Sequence, residues 1–193
     1  MAEVNRLVLA SASPRRRELL EHCGFPFEVH PADIDERAQK DEAPTDYVQR
    51  IAEEKARAVH RAMPDCFVLG ADTAVVLGAE ILGKPDSAEQ ARTLLGRLSG
   101  RVHQVYSALA LVCPDGRCLQ RLSTTDVTFA ELPNDWIERY VRSGAGLDKA
   151  GAYGIQNNAG LWVQHINGSY SGVVGLPLYE TAQLLREAGL RIP

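Results

Sequence analysis

The sequence predicts a globular domain of the α/β or α+β class, and three observations support this. Short apolar runs of strand character alternate with segments of helical periodicity along the chain. At 193 residues and 45% hydrophobic content, the chain is large enough to bury a core of its own. No internal repeat, low-complexity segment or linker divides it, so we expect one domain over residues 1–193.

The first third of the chain alternates strand and helix signals. The predicted elements are a strand at 6–10, a helix at 14–22, a strand at 27–30 and a long helix at 45–63. Pro14 suits the first position of its helix, and Ser13 before it is the expected N-cap. The long helix has an apolar face that is interrupted only by Lys55.

The middle of the chain predicts buried strands, a helix and a hairpin. Residues 66–71 and 74–77 are apolar runs on either side of Asp72 and Thr73. Ser87 and Gln90 form a capping-box pattern before a helix that reaches residue 98. Residues 104–113 and 117–129 predict the two strands of a hairpin around a Pro-Asp-Gly turn.

The last third predicts two helices around a glycine-rich connection. The expected elements are a helix at 133–143, a loop at 144–160, a strand at 161–166 and a helix at 177–188.

Composition excludes several classes of protein. The net charge of −4 and the pI near 5.7 argue against a surface built to bind nucleic acid. The four cysteines form no C-x-x-C pair, which argues against a zinc site or a disulfide framework and fits a reducing cytoplasm. No apolar run approaches the length of a membrane span, so no membrane partner is expected.

An arginine-rich helix start is the first candidate binding site. Arginines in a first helical turn oppose the helix dipole, at a cost of about 0.3–1 kcal/mol each, and a bound phosphate would reverse that sign. Ser11, Ser13, Arg15 and Arg16 would then form a phosphate cradle with the free backbone amides. The alternative is a solvated basic turn.

Asp72 is the candidate catalytic residue because a carboxylate at the end of an apolar strand commonly points into a ligand crevice. A metal ligand or a base that activates water would both fit, and a turn-capping Asp is the alternative. Lys84 lies in a near match to the P-loop pattern, but Pro85 stands where that fold needs Ser or Thr to hold magnesium. We therefore reject a P-loop and keep Lys84 as a phosphate contact.

These segments, in this order, resemble the Maf family of nucleoside triphosphate pyrophosphatases, once described as septum-formation inhibitors. The resemblance covers nearly the whole chain. The matching stretches are residues 9–16, 54–56, 70–73, 83–85, 98–100 and 148–156. It implies an α/β fold with an elongated mixed sheet, two lobes and a cleft, similar to the inosine-triphosphate pyrophosphatases.

The resemblance also implies roles for individual residues. It makes Asp72 the proton acceptor, and it makes Arg15, Thr73 and Gln156 the determinants of substrate specificity. Ser11, Arg16, Lys55 and Lys84 would surround the phosphates, while Glu36 and Asp72 would face a divalent cation, magnesium or manganese. From the residues alone, Lys55 and Glu36 are weak candidates, because buried lysine stems and surface acids are common. A homodimer is expected by resemblance only.

Residues 148–156 resemble the branch of the family that acts on dTTP and UTP, although Asn157 and Asn158 follow Gln156 where this branch would carry a glycine. The resemblance implies hydrolysis of the nucleotide to its monophosphate and pyrophosphate, with a link to modified nucleotides and to arrest of cell division. The alternatives are a 7-methyl-GTP pyrophosphatase, a non-catalytic nucleotide-binding regulator of septum formation, and a nucleic-acid-binding module, which the acidic balance opposes.

Overall fold

A computed structural model describes residues 6–193, which contain seven strands, six α-helices and two short 3-10 helices. The strands are β1 Leu7–Leu9, β2 Phe27–Val29, β3 Phe67–Leu77, β4 Glu80–Leu82, β5 Val102–Val112, β6 Cys118–Phe129 and β7 Val163–Asn167. The α-helices are α1 Pro14–His22, α2 Pro44–His60, α3 Ala88–Leu98, α4 Asn134–Arg142, α5 Tyr170–Val174 and α6 Leu178–Glu187. The 3-10 helices are Ala150–Ala152 and Asn158–Trp162.

All seven strands belong to one mixed sheet, as the family resemblance implies. Its order is β2-β1-β3-β5-β6-β7, and β4 pairs with β3 beside this path. β1 runs parallel to both β2 and β3, whereas every other pairing is antiparallel. The short parallel part comes from the N-terminal third, and the long antiparallel part comes from the predicted hairpin.

On one side of β3, strand pairing is interrupted between the two short strands β1 and β4. β1 pairs with Phe67–Leu69, and β4 pairs with Val75–Leu77. Within the described chain, residues 70–74 therefore have a strand neighbour only on the β5 side. This gap in the sheet opens beside Asp72 and Thr73.

Helix α2 packs on one face of β3 at very short range. The buried side chains of Val48, Ala52 and Ala56 form one cluster with Val68 of β3. Gly70 permits the close approach, because a Cβ built there would lie 2.1 Å from the carbonyl oxygen of Ala52. Lys55 of α2 and Asp72 of β3 therefore lie on two elements that are in direct backbone contact.

The opposite face of β3 supports two separate cores, which form the two lobes. Leu69 belongs to a buried cluster with Leu20 of α1 and Leu184 of α6. Val75 belongs to a second cluster that includes side chains of α3 and α4. Side chains alternate between the two faces along a strand, so Thr73 lies on the same face as Leu69 and Val75, between the two cores. Asp72 points to the opposite face.

Most predicted elements are confirmed within one to three residues, and the differences have simple causes. The two predicted segments around Asp72 are one continuous strand, because Asp72 and Thr73 stay in register with Ala108 and Ser107. β4 and α5, at 3 and 5 residues, are too short for a periodic signal and were not predicted. In the part of the chain that is described, no helix has the length and hydropathy needed to cross a bilayer.

The two predicted helix caps have different outcomes. Ser13 occupies the N-cap position of α1, but its side chain makes no capping bond, so that part of the prediction is wrong. Its backbone N–H donates to Ser11 Oγ at 3.2 Å instead. Ser87 caps α3 as predicted and accepts from the Gln90 N–H at 3.1 Å, while the Gln90 side chain turns to the Asp86 N–H.

Candidate active site

A cleft of about 960 Å³ opens at the gap in the sheet. Every site residue predicted from the sequence contributes to its wall. They are Ser11, Ser13, Arg15, Arg16, Glu36, Lys55, Asp72, Thr73, Lys84 and Gln156. The structure therefore brings together residues that lie up to 145 positions apart in the sequence.

A buried ion pair lies at the floor of this cleft. Lys55 and Asp72 are each only 7% exposed, and Lys55 Nζ donates to Asp72 Oδ1 at 2.9 Å. The same ammonium donates to Glu36 Oε2 at 2.9 Å, and the Glu36 side chain is 50% exposed. Asp72 Oδ2 accepts no hydrogen bond from residues 6–193 and is not sealed from solvent, so it is free to face a ligand.

Arg16 is a second buried cation beside this pair. Its hydrogen bonds all go to neutral oxygens: the Gly175 carbonyl at 2.8 Å, Ser11 Oγ at 3.1 Å and Thr73 Oγ1 at 3.3 Å. Burial lowers the pKa of Arg16, and the nearby Asp72 partly opposes that shift. The guanidinium is thus held in place without being neutralised by direct contact.

Thr73 connects Arg16 to the sheet. Its hydroxyl lies 3.0 Å from Ser107 Oγ on the neighbouring strand, and Ser107 in turn donates to the Gly172 carbonyl at 2.6 Å. The segment before α6 is therefore fixed to β5 and to Arg16 by hydrogen bonds.

Helix α2 also anchors the acidic loop that carries Glu36. Tyr47 donates its hydroxyl to the Glu36 carbonyl at 3.0 Å, and Arg50 donates to the Arg37 carbonyl at 3.1 Å. Burial and the negative charges of Asp72 and Glu36 raise the pKa of Tyr47 to about 12, so this hydroxyl remains a donor at neutral pH. Arg50 also holds Glu42, and hydrogen bonds from Arg50 lower the pKa of that carboxyl to about 2.

The cleft is cationic although the whole chain is acidic. Six cationic and four anionic side chains line it. The cations are Arg15, Arg16, Arg37, Lys55, Lys84 and Lys149, and the anions are Glu36, Asp72, Asp86 and Asp148. Because the chain carries a net charge of −4, this local excess of positive charge indicates an anionic ligand.

The cleft offers two carboxylates as ligands for the expected divalent cation. Among residues 6–193 there is no group of three or more His, Cys, Asp or Glu side chains able to hold a metal by themselves. Asp72 and Glu36 do offer two carboxylates on either side of one ammonium. Magnesium is usually bound by one or two carboxylates together with substrate phosphates and water, so these residues fit a metal that arrives with a nucleotide.

Comparison with known proteins places the chain in a family. The family model for Maf-like proteins matches residues 6–188. The chain belongs to the Maf family. A relative from Anaeromyxobacter dehalogenans named dTTP/UTP pyrophosphatase is 53% identical over 191 residues, which cover 97% of this chain and 96% of the relative. A protein of the same name from Myxococcus xanthus is 52% identical over 193 residues, 100% of this chain and 97% of that protein.

The Maf fold seen here is also found in a more distant group. The solved structure of a HAM1 protein from Coxiella burnetii aligns with a TM-score of 0.56 at 18% identity, over 94% of this chain and 98% of that chain. At this level of identity the likeness concerns the fold alone. It agrees with the mixed sheet and two lobes described above.

Several cleft residues of this Maf protein were not predicted individually. The sequence carries no signal for Arg37 except that it follows Glu36, and none for Tyr47 except that it lies on the same predicted helix as Lys55. Asp148 and Lys149 lie in the segment that was singled out for its glycines, but neither was named as a site residue. The pairing of Lys55 with Asp72 was also missed, since a lysine on an apolar helix face is usually one whose charged end reaches solvent.

Proposed function

We propose that this protein hydrolyses dTTP and UTP to the nucleoside monophosphate and pyrophosphate. The observation that carries the proposal is the placement of Asp72, whose free carboxylate oxygen faces a cationic cleft. The relatives at about 50% identity, which bear the name dTTP/UTP pyrophosphatase over nearly the full length of the chain, support the choice of nucleotides.

The triphosphate would occupy the part of the cleft where the fixed cations are concentrated. Arg16 and Lys55 are buried there, and Lys84 extends from the connection after β4. Ser11 and Ser13 lie at the N-terminal end of α1, where the helix dipole and the backbone amides favour an anion. Phosphoryl transfer depends mainly on such positioning and charge stabilisation.

Asp72 would accept the proton of the attacking water through Oδ2. The water oxygen forms a bond to the α-phosphorus, the bridging bond from the α-phosphorus to the oxygen of the β-phosphate breaks, and the electron pair leaves with pyrophosphate. Lys55 keeps the Asp72 carboxylate oriented through Oδ1. Asp72 and Glu36, together with the phosphates, would hold a magnesium or manganese ion, which supplies charge neutralisation when bound.

Hydrolysis in ¹⁸O-labelled water, with magnesium or manganese, tests both the reaction and the point of attack. We expect pyrophosphate release from dTTP and UTP, with the label in the monophosphate. Asp72→Asn should lower turnover by about 10²–10⁴-fold, the usual range for a lost general base, while binding nucleotide. Label in the pyrophosphate would move the attack to the β-phosphorus, and nucleotide binding without any turnover would support a regulator instead.

A further inference from the structure

One part of the cleft wall is mainly apolar, in contrast to the cationic side chains that line the rest. It includes the side chains of Val105, Tyr153, Ile155, Val173 and Val174. With the phosphates held by the buried cations, a flat and largely apolar base fits this apolar part of the wall. A group of three charged side chains borders it, and two of them, Asp148 and Lys149, have no role in the proposed phosphate binding or proton transfer.

The charged group consists of Arg15, Asp148 and Lys149. Arg15 Nη1 donates to Asp148 Oδ2 at 3.2 Å, and Lys149 Nζ donates to Asp148 Oδ1 at 2.5 Å. The Asp148 side chain is 65% exposed, whereas those of Arg15 and Lys149 are 27% and 12% exposed. The carboxylate is therefore the accessible centre of the group, and a cation lies on each side of it.

Each member keeps hydrogen-bonding capacity for a ligand. Arg15 uses one of its five N–H groups on Asp148, and Lys149 uses two of its three, one on Asp148 and one on the Ala145 carbonyl at 2.7 Å. Each Asp148 oxygen accepts one bond and has a second lone pair free. Desolvation acts to raise the pKa of Asp148, but the hydrogen bonds from Lys149 and Arg15 outweigh it and lower that pKa, so the carboxylate remains an acceptor without a proton.

We infer that Asp148 reads the N3–H of a uracil or thymine base, with Arg15 and Lys149 donating to the two flanking carbonyl oxygens. This inference rests on the proposed function. The edge of uracil and thymine presents acceptor, donor, acceptor, and the group presents the complementary donor, acceptor, donor. Cytosine has a lone pair at N3, which meets the carboxylate, and an amino group at C4, which meets a cation.

Gly154, in the glycine-rich loop, packs against the Lys149 side chain of this group. A Cβ on Gly154 would lie 2.8 Å from Lys149 Cε and 3.3 Å from Gln156 Oε1. The Gly154 N–H also donates to Tyr140 OH at 3.1 Å, which ties the loop to α4. The side chains of Lys149 and Gln156 therefore pack against the backbone of Gly154. The hydrogen bond from Lys149 holds Asp148 beside them.

The test compares kcat/KM for UTP, CTP and N3-methyl-UTP in the wild-type protein and in Asp148→Asn. The wild type should prefer UTP over both other nucleotides. In Asp148→Asn the preference over each should fall roughly ten- to hundredfold, the usual range for one hydrogen bond to a charged group. The loss on UTP should appear mainly as a higher KM, because Asp148 would contact the base and takes no part in the proposed proton transfer.

Asp86→Asn is the matched control, since Asp86 is also an exposed carboxylate of the cleft wall. Any loss in this variant should fall on the three nucleotides alike. Equal wild-type rates for UTP and N3-methyl-UTP would overturn the inference without any mutation, as would unchanged ratios, or an equal loss for all three nucleotides, in Asp148→Asn. A wild-type protein that hydrolyses none of the three would instead contradict the proposed function.

Discussion

Replacing Lys55 by methionine should destabilise the protein strongly, because it leaves a carboxylate without its partner in the interior. Both Lys55 and Asp72 are 7% exposed and their charged groups lie 2.9 Å apart. Breaking one side of such a buried pair typically costs about 3–5 kcal/mol. For a chain of this length, that corresponds to a decrease in Tm of about 6–20 °C.

The assay is a double-mutant cycle in urea at pH 7, with Lys55→Met, Asp72→Asn and the double variant. The double variant should be more stable than the sum of the two single losses predicts, because it places an asparagine beside a methionine and so buries no charge at either position. Glu36→Gln serves as the control. Glu36 is half exposed, so its loss should cost at most about 1 kcal/mol. A Lys55→Met protein as stable as the wild type, or a cycle that is additive within about 0.5 kcal/mol, would refute the reasoning.

Three further predictions concern stability and the glycine-rich loop. Burial lowers the pKa of His103 to about 4, so the unfolded chain binds a proton there before the folded chain does. Stability should therefore fall as pH decreases from about 6.5 to about 4, by up to about 3 kcal/mol, and His103→Leu should make that fall shallower in urea titrations at a series of pH values. Gly154→Ala should raise KM for UTP several-fold with little change in Tm, because the added methyl displaces only the side-chain ends of Lys149 and Gln156; an unchanged KM would contradict this. Gly70→Ala should prevent stable folding, because its Cβ would overlap the backbone of α2. Gly96→Ala, in open space on α3, should instead stabilise the protein by about 0.5–1 kcal/mol, and thermal melts of both variants check the two expectations.

The elements with a strong periodic signal were predictable from the sequence. Helix α2 was found because its apolar residues recur at helical spacing, and the hairpin of β5 and β6 was found from its turn and its flanking strands. Strand β3 was predicted as two segments because a charged residue normally ends a buried run. Only the structure shows that Asp72 stays in the ladder, where Lys55 compensates its charge.

The list of candidate residues was predictable, but the way they act together was not. Arg16 was predicted as a phosphate contact from its place in the first turn of α1. Its three protein acceptors come from residues 5 to 159 positions away, and no local pattern encodes them. Asp148 looked like one charge among small residues. Its role in the base-reading hypothesis depends on Arg15, which lies 133 positions earlier and reaches it only in the folded chain.

The way Arg16 is buried has a consequence for the lifetime of the protein. Its guanidinium is surrounded by hydroxyl and carbonyl oxygens, so the folded chain keeps a positive charge in its interior that no direct contact neutralises. An oxyanion that binds beside Arg16 would balance this charge and would shift the folding equilibrium towards the native state as its concentration rises. Nucleotide at concentrations well above its Kd would therefore protect the protein from unfolding and from proteolysis of the unfolded chain, and removal of the nucleotide would abolish that protection.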